Sequence, residues 1–347
     1  MFKRSSIVIL SGILVLFLSF NVEASKVLRL QLVYPKTSMV AVSTQFFAEK
    51  VESYTKGKVR VKIFYPGQLV KSEEGLTALQ RGLIDAYAGS MLYFAGVVPE
   101  VNGEWLPFCW RGVEDVLDIY YGYGFLELMR SALDRHGVFY VAPVMVATMG
   151  LMTNFPIHSV EDLKGKNIRA VGMEAKIVKA LGGSPVSIAG AEQYTALQRG
   201  TVEGTDYPWY TLEDYRFYEV VKYVSVPAIH TPGIVEILIS KKVWEGLSPE
   251  EKWAIERAGF ETAVHSARLS ADSDARARKF GEEHGISFVE LPLDEVGRFR
   301  QLTAPLYNEH AQSCEICKRQ VELIAEFYKE IDPAHPSLNA LSSQNKQ

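Results

Sequence analysis

One six-residue string occurs twice in this chain: Thr77-Ala-Leu-Gln-Arg-Gly82 returns as Thr195-Ala-Leu-Gln-Arg-Gly200. Ala, Leu, Gln and Arg are strong helix formers, and a glycine just past a helix takes the left-handed conformation that ends it. Each copy runs on into an aliphatic or β-branched pair and an acid, Leu83-Ile84-Asp85 and Thr201-Val202-Glu203. The physical reading is one helix–glycine–strand element used once in each of two α/β lobes. In parallel α/β sheets, ligands sit beyond the carboxyl ends of the strands. Two such lobes facing each other bring two sets of strand ends into one cleft. The residues after each copy are therefore cleft candidates: Gly89, Ser90 and Tyr93 in one lobe, and Asp206, Tyr207 and Trp209 in the other.

The patterns around each copy agree with that reading. Lys26 to Tyr34 alternates, with Leu28, Leu30 and Leu32 on one side and Arg29 and Gln31 on the other, the period of a strand. Ser43 to Lys56 carries Phe47, Val51 and Tyr54 along one helical stripe. Val59 to Tyr65 alternates again and stops at Pro66-Gly67. Glu73 to Arg81 reads as a helix closed by Gly82, and Leu83 to Ser90 as a third strand. Strand, helix, strand, helix, strand predicts a doubly wound, parallel sheet. The second unit starts near residue 150, with strands at Asn167–Val171, Pro185–Ile188 and Thr201–Tyr207 and helices at Glu174–Leu181 and Glu192–Arg199. Ser159 and Asp162 resemble a capping box. Ser248-Pro249-Glu250-Glu251 reads as a helix start. From Glu251 to about Glu283 the breakers are Gly259 and Gly281, which predicts one long helix, and Leu293 to Lys329 carries two more.

The formal net charge is -4 and no basic stripe stands out, which argues against a nucleic-acid partner. Lys3 and Arg4, the apolar run Ile7 to Phe20 and Val22-Glu23-Ala24 have the order of a secretory signal peptide, with cleavage expected after Ala24. That predicts a periplasmic protein. Three cysteines follow. Cys109 lies in an apolar patch and is expected to be packed. Cys314 and Cys317 sit in a helical pattern, Glu309 to Tyr328, as two buried thiols or a local disulfide.

Blocks spread along the chain resemble the substrate-binding subunit of tripartite ATP-independent periplasmic (TRAP) transporters, the DctP type. They include Pro66-Gly67-Gln68-Leu69, Gly82-Leu83-Ile84-Asp85 and Leu106-Pro107-Phe108. The more specific ones are Glu161-Asp162-Leu163-Lys164-Gly165-Lys166 with Ile168-Arg169, and Ala196-Leu197-Gln198-Arg199-Gly200 with Val202-Glu203-Gly204. Within the family, the oxo-acid and lactate-binding branch is the most similar. The resemblance implies an α/β fold of two periplasmic-binding-protein-like lobes. Each lobe is a mixed, mainly parallel sheet flanked by helices, and a long helix spans both. The lobes are expected at 25–147 plus about 233–270, and at 148–232 plus about 271–332, between a signal peptide at 1–24 and a polar tail at 333–347. The implied partners are a small organic acid and the small and large membrane subunits of an ion-coupled transporter. The chain itself is expected to be a monomer or homodimer.

Site residues follow from the same resemblance. Arg169 matches the arginine that pairs with the substrate carboxylate, and its guanidinium offers two parallel donors to one. Asp206-Tyr207 resembles the pair that contacts a bound cation and the substrate. The branch has Glu-Trp there, Gln near Thr148-Met149 and Gln or Glu near Thr231. A cation needs several oxygen ligands, so these departures weigh against a metal at Asp206. Tyr34, Ser90, Tyr93, Thr148, Met149, Trp209 and Thr231 complete the expected substrate-binding set, with Tyr210 as a stacking candidate and His230 as a structural histidine. No resident cofactor is expected. A periplasmic enzyme would need paired acids or a His–nucleophile set, and no Gly-x-Ser-x-Gly, His-Glu-x-x-His or P-loop is present. The alternative output for the same lobes is ligand sensing for a signalling receptor.

Overall fold

The computed structural model describes residues 25–338. The expected signal segment and most of the polar tail lie outside the described residues. Eleven strands form two sheets, one per lobe. The first sheet contains β1 (Lys26–Leu32), β2 (Val59–Phe64), β3 (Ala86–Gly89) and β4 (Val138–Met145). The chain then crosses over to build β5 (Met149–Thr153), β6 (Asn167–Arg169), β7 (Ser184–Val186), β8 (Gly204–Pro208) and β9 (Tyr223–Val226). It returns to the first sheet as β10 (Ile234–Ser240) and ends in the second as β11 (Ser287–Glu290). The orders are β2-β1-β3-β10-β4 and β11-β9-β5-β8-β6-β7. The pairs β1–β2 and β1–β3 are parallel, while the returning β10 is antiparallel to β3 and β4. The doubly wound parallel sheet expected from the first five elements is therefore the parallel half of a mixed sheet.

The repeated string makes the same structure twice. Gly82 and Gly200 both have φ +69. Leu83 N donates to Ala78 O at 2.9 Å, and Thr201 N to Ala196 O at 2.9 Å, which ties each glycine turn back onto its helix. Each acid then fixes its strand against a parallel neighbour. Asp85 N donates to Arg29 O, and Glu203 N to Asn167 O. The Asp85 carboxylate accepts from Arg29 N at 2.8 Å and from its guanidinium. The Glu203 carboxylate accepts from Asn167 N and Lys166 Nζ.

The long helix is Pro249–Glu283, 35 residues, or about 50 Å at 1.5 Å per residue. Ser248 Oγ accepts from Glu251 N, and the Glu251 carboxylate accepts from Ser248 N, so the first turn is capped from both sides. Beyond Glu251 and Ile255 near its start, its buried stripe is small: Ala254, Ala258, Gly259, Thr262, Ala263, Ser266, Ala267, Ser270, Ser273, Ala277 and Gly281. Small side chains let the helix lie close on β4 of one lobe and on β11 of the other. A Cβ at Gly259 would sit 2.8 Å from Val141.

Several expectations change. Gln31 was placed on a polar strand face, yet it is fully buried. Its amide donates to Leu32 O and Tyr65 O and accepts from Leu69 N, which joins the end of β1 to the turn after β2. The stretch from Leu293 to Lys329 holds three helices, not two: Leu293–Thr303, Pro305–Ser313 and Glu315–Tyr328. Cys314 interrupts the expected helix because it is extended and caps the next one, Cys317 N donating to its Sγ. Cys314 and Cys317 form a disulfide, and Cys109 is a buried free thiol. Residues 271–332 were expected in the second lobe, but the last two of these helices pack on the first. Tyr307 OH donates to Pro107 O, Tyr328 OH to Asp115, and Gln320 to Glu100 O. The expected tail also starts later than 333, because His335 stacks on Tyr328 at 3.8 Å and buries there.

Candidate functional site

The parallel ends of β6 and β8, the 3-10 segment after β3 and the end of β1 converge between the lobes. Arg169 closes β6 in register with Thr205 of β8, and it is 2% exposed. Four protein acceptors surround its guanidinium. Nε donates to Ile188 O at 2.9 Å, Nη1 to Glu174 at 3.2 Å and to Asp206 O at 3.4 Å, and Nη2 to Tyr93 Oη at 3.2 Å. The guanidinium also lies 5.1 Å from the Tyr207 ring centre, a cation–π distance.

Tyr93 belongs to the first lobe, on the 3-10 segment Met91–Phe94, whose first turn Ser90 Oγ caps through Leu92 N. Its hydroxyl accepts from both Arg169 and Gly190 N, the latter at 3.0 Å. Both donors come from the second lobe. A phenolic oxygen thus occupies the position that two converging donors offer to an anionic oxygen.

Glu174 sits in the first turn of the helix Gly172–Ala180, where the helix dipole favours an anion. Its carboxylate accepts from Val171 N at 3.1 Å as well as from Arg169. Burial outweighs these partners and pushes its carboxyl up to about 7. Asp206 is completely buried, and neither carboxylate oxygen has a hydrogen-bond partner among the described residues. Burial, reinforced by Glu174, holds its carboxyl well above the usual carboxylate range against the pull of Arg169. The nearest basic side chain recorded beside it is His230, with Nε2 3.9 Å away. Burial lowers that imidazole to about 3, so it is neutral and leaves Asp206 without a counter-ion.

The closed lobes leave a cavity of about 20 Å³, room for about one water. Its polar wall is Tyr34, Ser90, Tyr93, Arg169, Glu174, Tyr207 and Tyr210; Trp105, Val146, Met149, Val171, Pro208 and Val235 supply the apolar wall. Beside it the lobes meet at Gly172, and Gly190 is packed close within the second lobe. A Cβ on Gly172 would lie 2.7 Å from Leu92 Cδ2, and one on Gly190 would lie 2.5 Å from Tyr207 Oη.

The structure thus gathers Tyr34, Ser90, Tyr93, Met149, Arg169 and Tyr207 round one space. It does not place Thr148, Asp206, Trp209 or Thr231 on the wall. Thr148 donates through N and Oγ1 to Asp274 of the long helix. Trp209 packs edge-on against Phe288. Thr231 lies in the bend between the His230 bridge and β10. Asp206 points away from Tyr207, as neighbours on a strand do. His230 is buried edge-on to Trp105. Glu174 and the Gly190 N–H are the polar groups not expected. The available signal was an acid five residues after Arg169, in the first turn of the next helix.

The residues do not fit a bound cation at Asp206. Thr148 Oγ1 is committed to Asp274. Among the described residues no group of three or more His, Cys, Asp or Glu is arranged to hold a metal.

Two α/β lobes joined by crossing strands and one shared helix, closed over a small mixed-polarity cavity, define a two-lobed solute-binding protein. The profile of the bacterial extracellular solute-binding protein family 7, DctP, matches residues 31–313, and the chain belongs to that family. It is 27% identical over 271 residues to the C4-dicarboxylate-binding periplasmic protein DctP of Rhodobacter capsulatus, covering 77% of this chain and 80% of that one. It is 24% identical over 322 residues to a monocarboxylate 2-oxoacid-binding periplasmic protein of Nostoc, covering 90% and 86%. Its fold matches DctP7 of Bordetella pertussis, a receptor binding pyroglutamic acid, with TM-score 0.80 at 17% identity over 88% of this chain and 100% of that one. A TRAP solute-binding protein of Roseobacter denitrificans with bound β-D-glucuronate matches with TM-score 0.79 at 23% identity over 86% and 99%. The chain is therefore a TRAP-type solute-binding protein, and not an enzyme. Among the described residues no helix is long and apolar enough to cross a membrane.

Proposed function

We propose that this protein captures a small monocarboxylate in the periplasm, by closure of its two lobes, and delivers it to the membrane subunits of a TRAP transporter. The observation that carries the reading is the placement of Arg169. It is the one cation among the described residues on the cavity wall, at the meeting of both lobes. One guanidinium can grip one carboxylate with two parallel donors. A second carboxylate would meet Glu174, tyrosines and apolar side chains, with no cation to offset its desolvation. The cavity as it stands holds about one water, so the ligand enters as Tyr93 withdraws, and its carboxylate takes over the position of the Tyr93 hydroxyl, facing Arg169 Nη2 and Gly190 N. The rest of the ligand, a 2-oxo, 2-hydroxy or aromatic acid, lies against Trp105, Met149 and the valines.

A thermal-shift screen tests this. A ligand that binds the folded state raises the melting temperature by mass action. Pyroglutamate, lactate, pyruvate and benzoate are compared with succinate and malate, in wild type and in Arg169→Ala. The expected result is a shift with at least one monocarboxylate that Arg169→Ala abolishes. A shift that survives in Arg169→Ala, or one confined to the dicarboxylates, overturns the reading.

A further inference from the structure

We propose that this site takes up one proton from solvent with each anionic ligand, and that Glu174 is the group that receives it. The inference rests on the reading that the ligand is a carboxylate held at Arg169. It begins with a charge count. The buried cluster holds one permanent cation, Arg169, and two carboxyl groups, Glu174 and Asp206, all at most 3% exposed. Above neutral pH, where Glu174 is ionised, Arg169 and Glu174 form a contact ion pair at 3.2 Å in the empty site, and the pair is neutral as a whole. Among the described residues the one basic group recorded within salt-bridge distance of the Asp206 carboxylate is the neutral His230. A ligand carboxylate entering this dry space becomes the second anion on one guanidinium. Burying an unpaired charge costs several kcal/mol, so a group of raised proton affinity neutralises instead.

Glu174 is the group placed to do so. It shares Arg169 with the ligand and lines the cavity itself, whereas Asp206 lies behind the wall. It already holds its proton up to about neutral pH, and a second anion on Arg169 raises it further. The groups facing it are few. Arg169 comes from β6, Asp206 and Tyr207 from β8, and Tyr93 from the segment after β3. The acids on other segments packed against its helix are engaged elsewhere. Glu100 pairs with Arg135, Glu104 accepts from Tyr140, and Glu295 accepts from Val160 N and Arg298. The step balances simply: ligand carboxylate plus one proton replaces ionised Glu174 on Arg169 and leaves a neutral Glu174 carboxyl. Protonated, Glu174 gains an O–H that can donate to a ligand hydroxyl or oxo oxygen.

Calorimetry in two buffers of different ionisation heat counts the protons taken up on binding. The probes are pyroglutamate, lactate, pyruvate and benzoate, titrated into wild type, Glu174→Gln and Arg169→Ala between about pH 5.5 and 8.5. The expected result is an uptake approaching one proton in the alkaline half of the range, with affinity weakening by up to about tenfold per pH unit there. Glu174→Gln should bind with no uptake and no such slope. If a probe binds wild type without proton uptake in the alkaline half of the range, or if Glu174→Gln keeps the slope, this proposal falls. The carboxylate reading then still stands, provided that Arg169→Ala abolishes binding. If no probe binds wild type at any pH, both fall together.

Discussion

Closure of the lobes can be blocked at a single atom. Gly172 opens the helix that carries Glu174, with φ +50, and it faces Leu92 of the opposite lobe. A Cβ there would sit 2.7 Å from Leu92 Cδ2, and 3.1 Å from both Leu92 Cβ and Leu92 O. Carbon atoms settle at roughly 3.5–4.0 Å. The first contact can be relieved by turning the leucine, but the other two involve the Cβ and the backbone and cannot. Gly172→Ala therefore adds two separable costs. The left-handed conformation costs about 1–2 kcal/mol in open and closed protein alike. The wedge costs about 1–3 kcal/mol, as overpacking does, and only when the lobes are shut. Because the ligand is held by the shut form, its affinity should fall by roughly 5- to 150-fold at about 1.4 kcal/mol per tenfold. Gly165→Ala is the control. Its φ is +72 but a Cβ there meets nothing within 4 Å. It should lower the melting temperature in the same way and leave affinity alone. Titration with the best monocarboxylate measures the affinities, and small-angle scattering with saturating ligand reports whether Gly172→Ala stays expanded. Equal affinity for Gly172→Ala and wild type, with the variant folded, would refute closure through this contact. Equal loss in both glycine variants would trace the effect to general destabilisation.

Two further predictions concern stability. In the repeated element, Asp85 accepts from Arg29 N and from its guanidinium and is 16% exposed at the side chain, while Glu203 and Lys166 are 37% and 35% exposed. Asp85→Ala should cost about 1–3 kcal/mol and Glu203→Ala less than about 1 kcal/mol in urea unfolding; equal costs would mean that the two copies carry equal load. His310 is buried, hydrogen-bonded to Gln320, and held neutral down to about 4. Its folded affinity for protons lies below its unfolded one, so its contribution is present above about pH 6.5 and is lost as pH falls towards 4. Relative to His310→Gln, wild type should therefore lose about 1.4 kcal/mol per pH unit across that window, and parallel stability–pH curves would refute the assignment.

Much of the fold was legible because short local rules fixed it. The glycine stop of Thr77–Gly82 and Thr195–Gly200 needs only helix propensity and a left-handed residue, and both copies obey it. The long helix was readable from its start signal and its lack of breakers. Local rules missed the strands that depend on partners from far along the chain. Val138–Met145 is buried along nearly its whole length between β10 and the long helix, so it shows no alternation. Ser287–Glu290 is a four-residue edge strand whose pairing with Tyr223–Val226 nothing nearby announces. The C-terminal helices went to the wrong lobe for the same reason. Their contacts to Pro107, Asp115 and Glu100 span about two hundred residues of sequence.

For the site, the period of a strand separates Asp206 from Tyr207. The expected wall set holds Asp206 beside Tyr207, but neighbours on a strand face opposite sides, and only Tyr207 reaches the cavity. Met149 pairs with Pro208 and Gly150 with Tyr207, so the register alone does not set Met149 and Tyr207 on one face; Met149 opens β5 and Pro208 closes β8, and at this strand end Met149, Tyr207 and Pro208 all line the cavity. Thr148, Asp206 and Trp209 stand off the wall in a second layer, Thr148 tied to the long helix through Asp274 and Trp209 to β11 through Phe288. That layer has a consequence for function. Asp206 lends Arg169 its carbonyl oxygen while its own carboxyl stays unpaired. Were Asp206 ionised, it would hold Arg169 electrostatically and compete with the ligand for the same charge. Kept neutral by burial, it positions the guanidinium without spending its charge. The competition for that charge is then left to Glu174 alone, the one acid on the wall, and the protonation of that residue decides whether Arg169 is free for an incoming carboxylate.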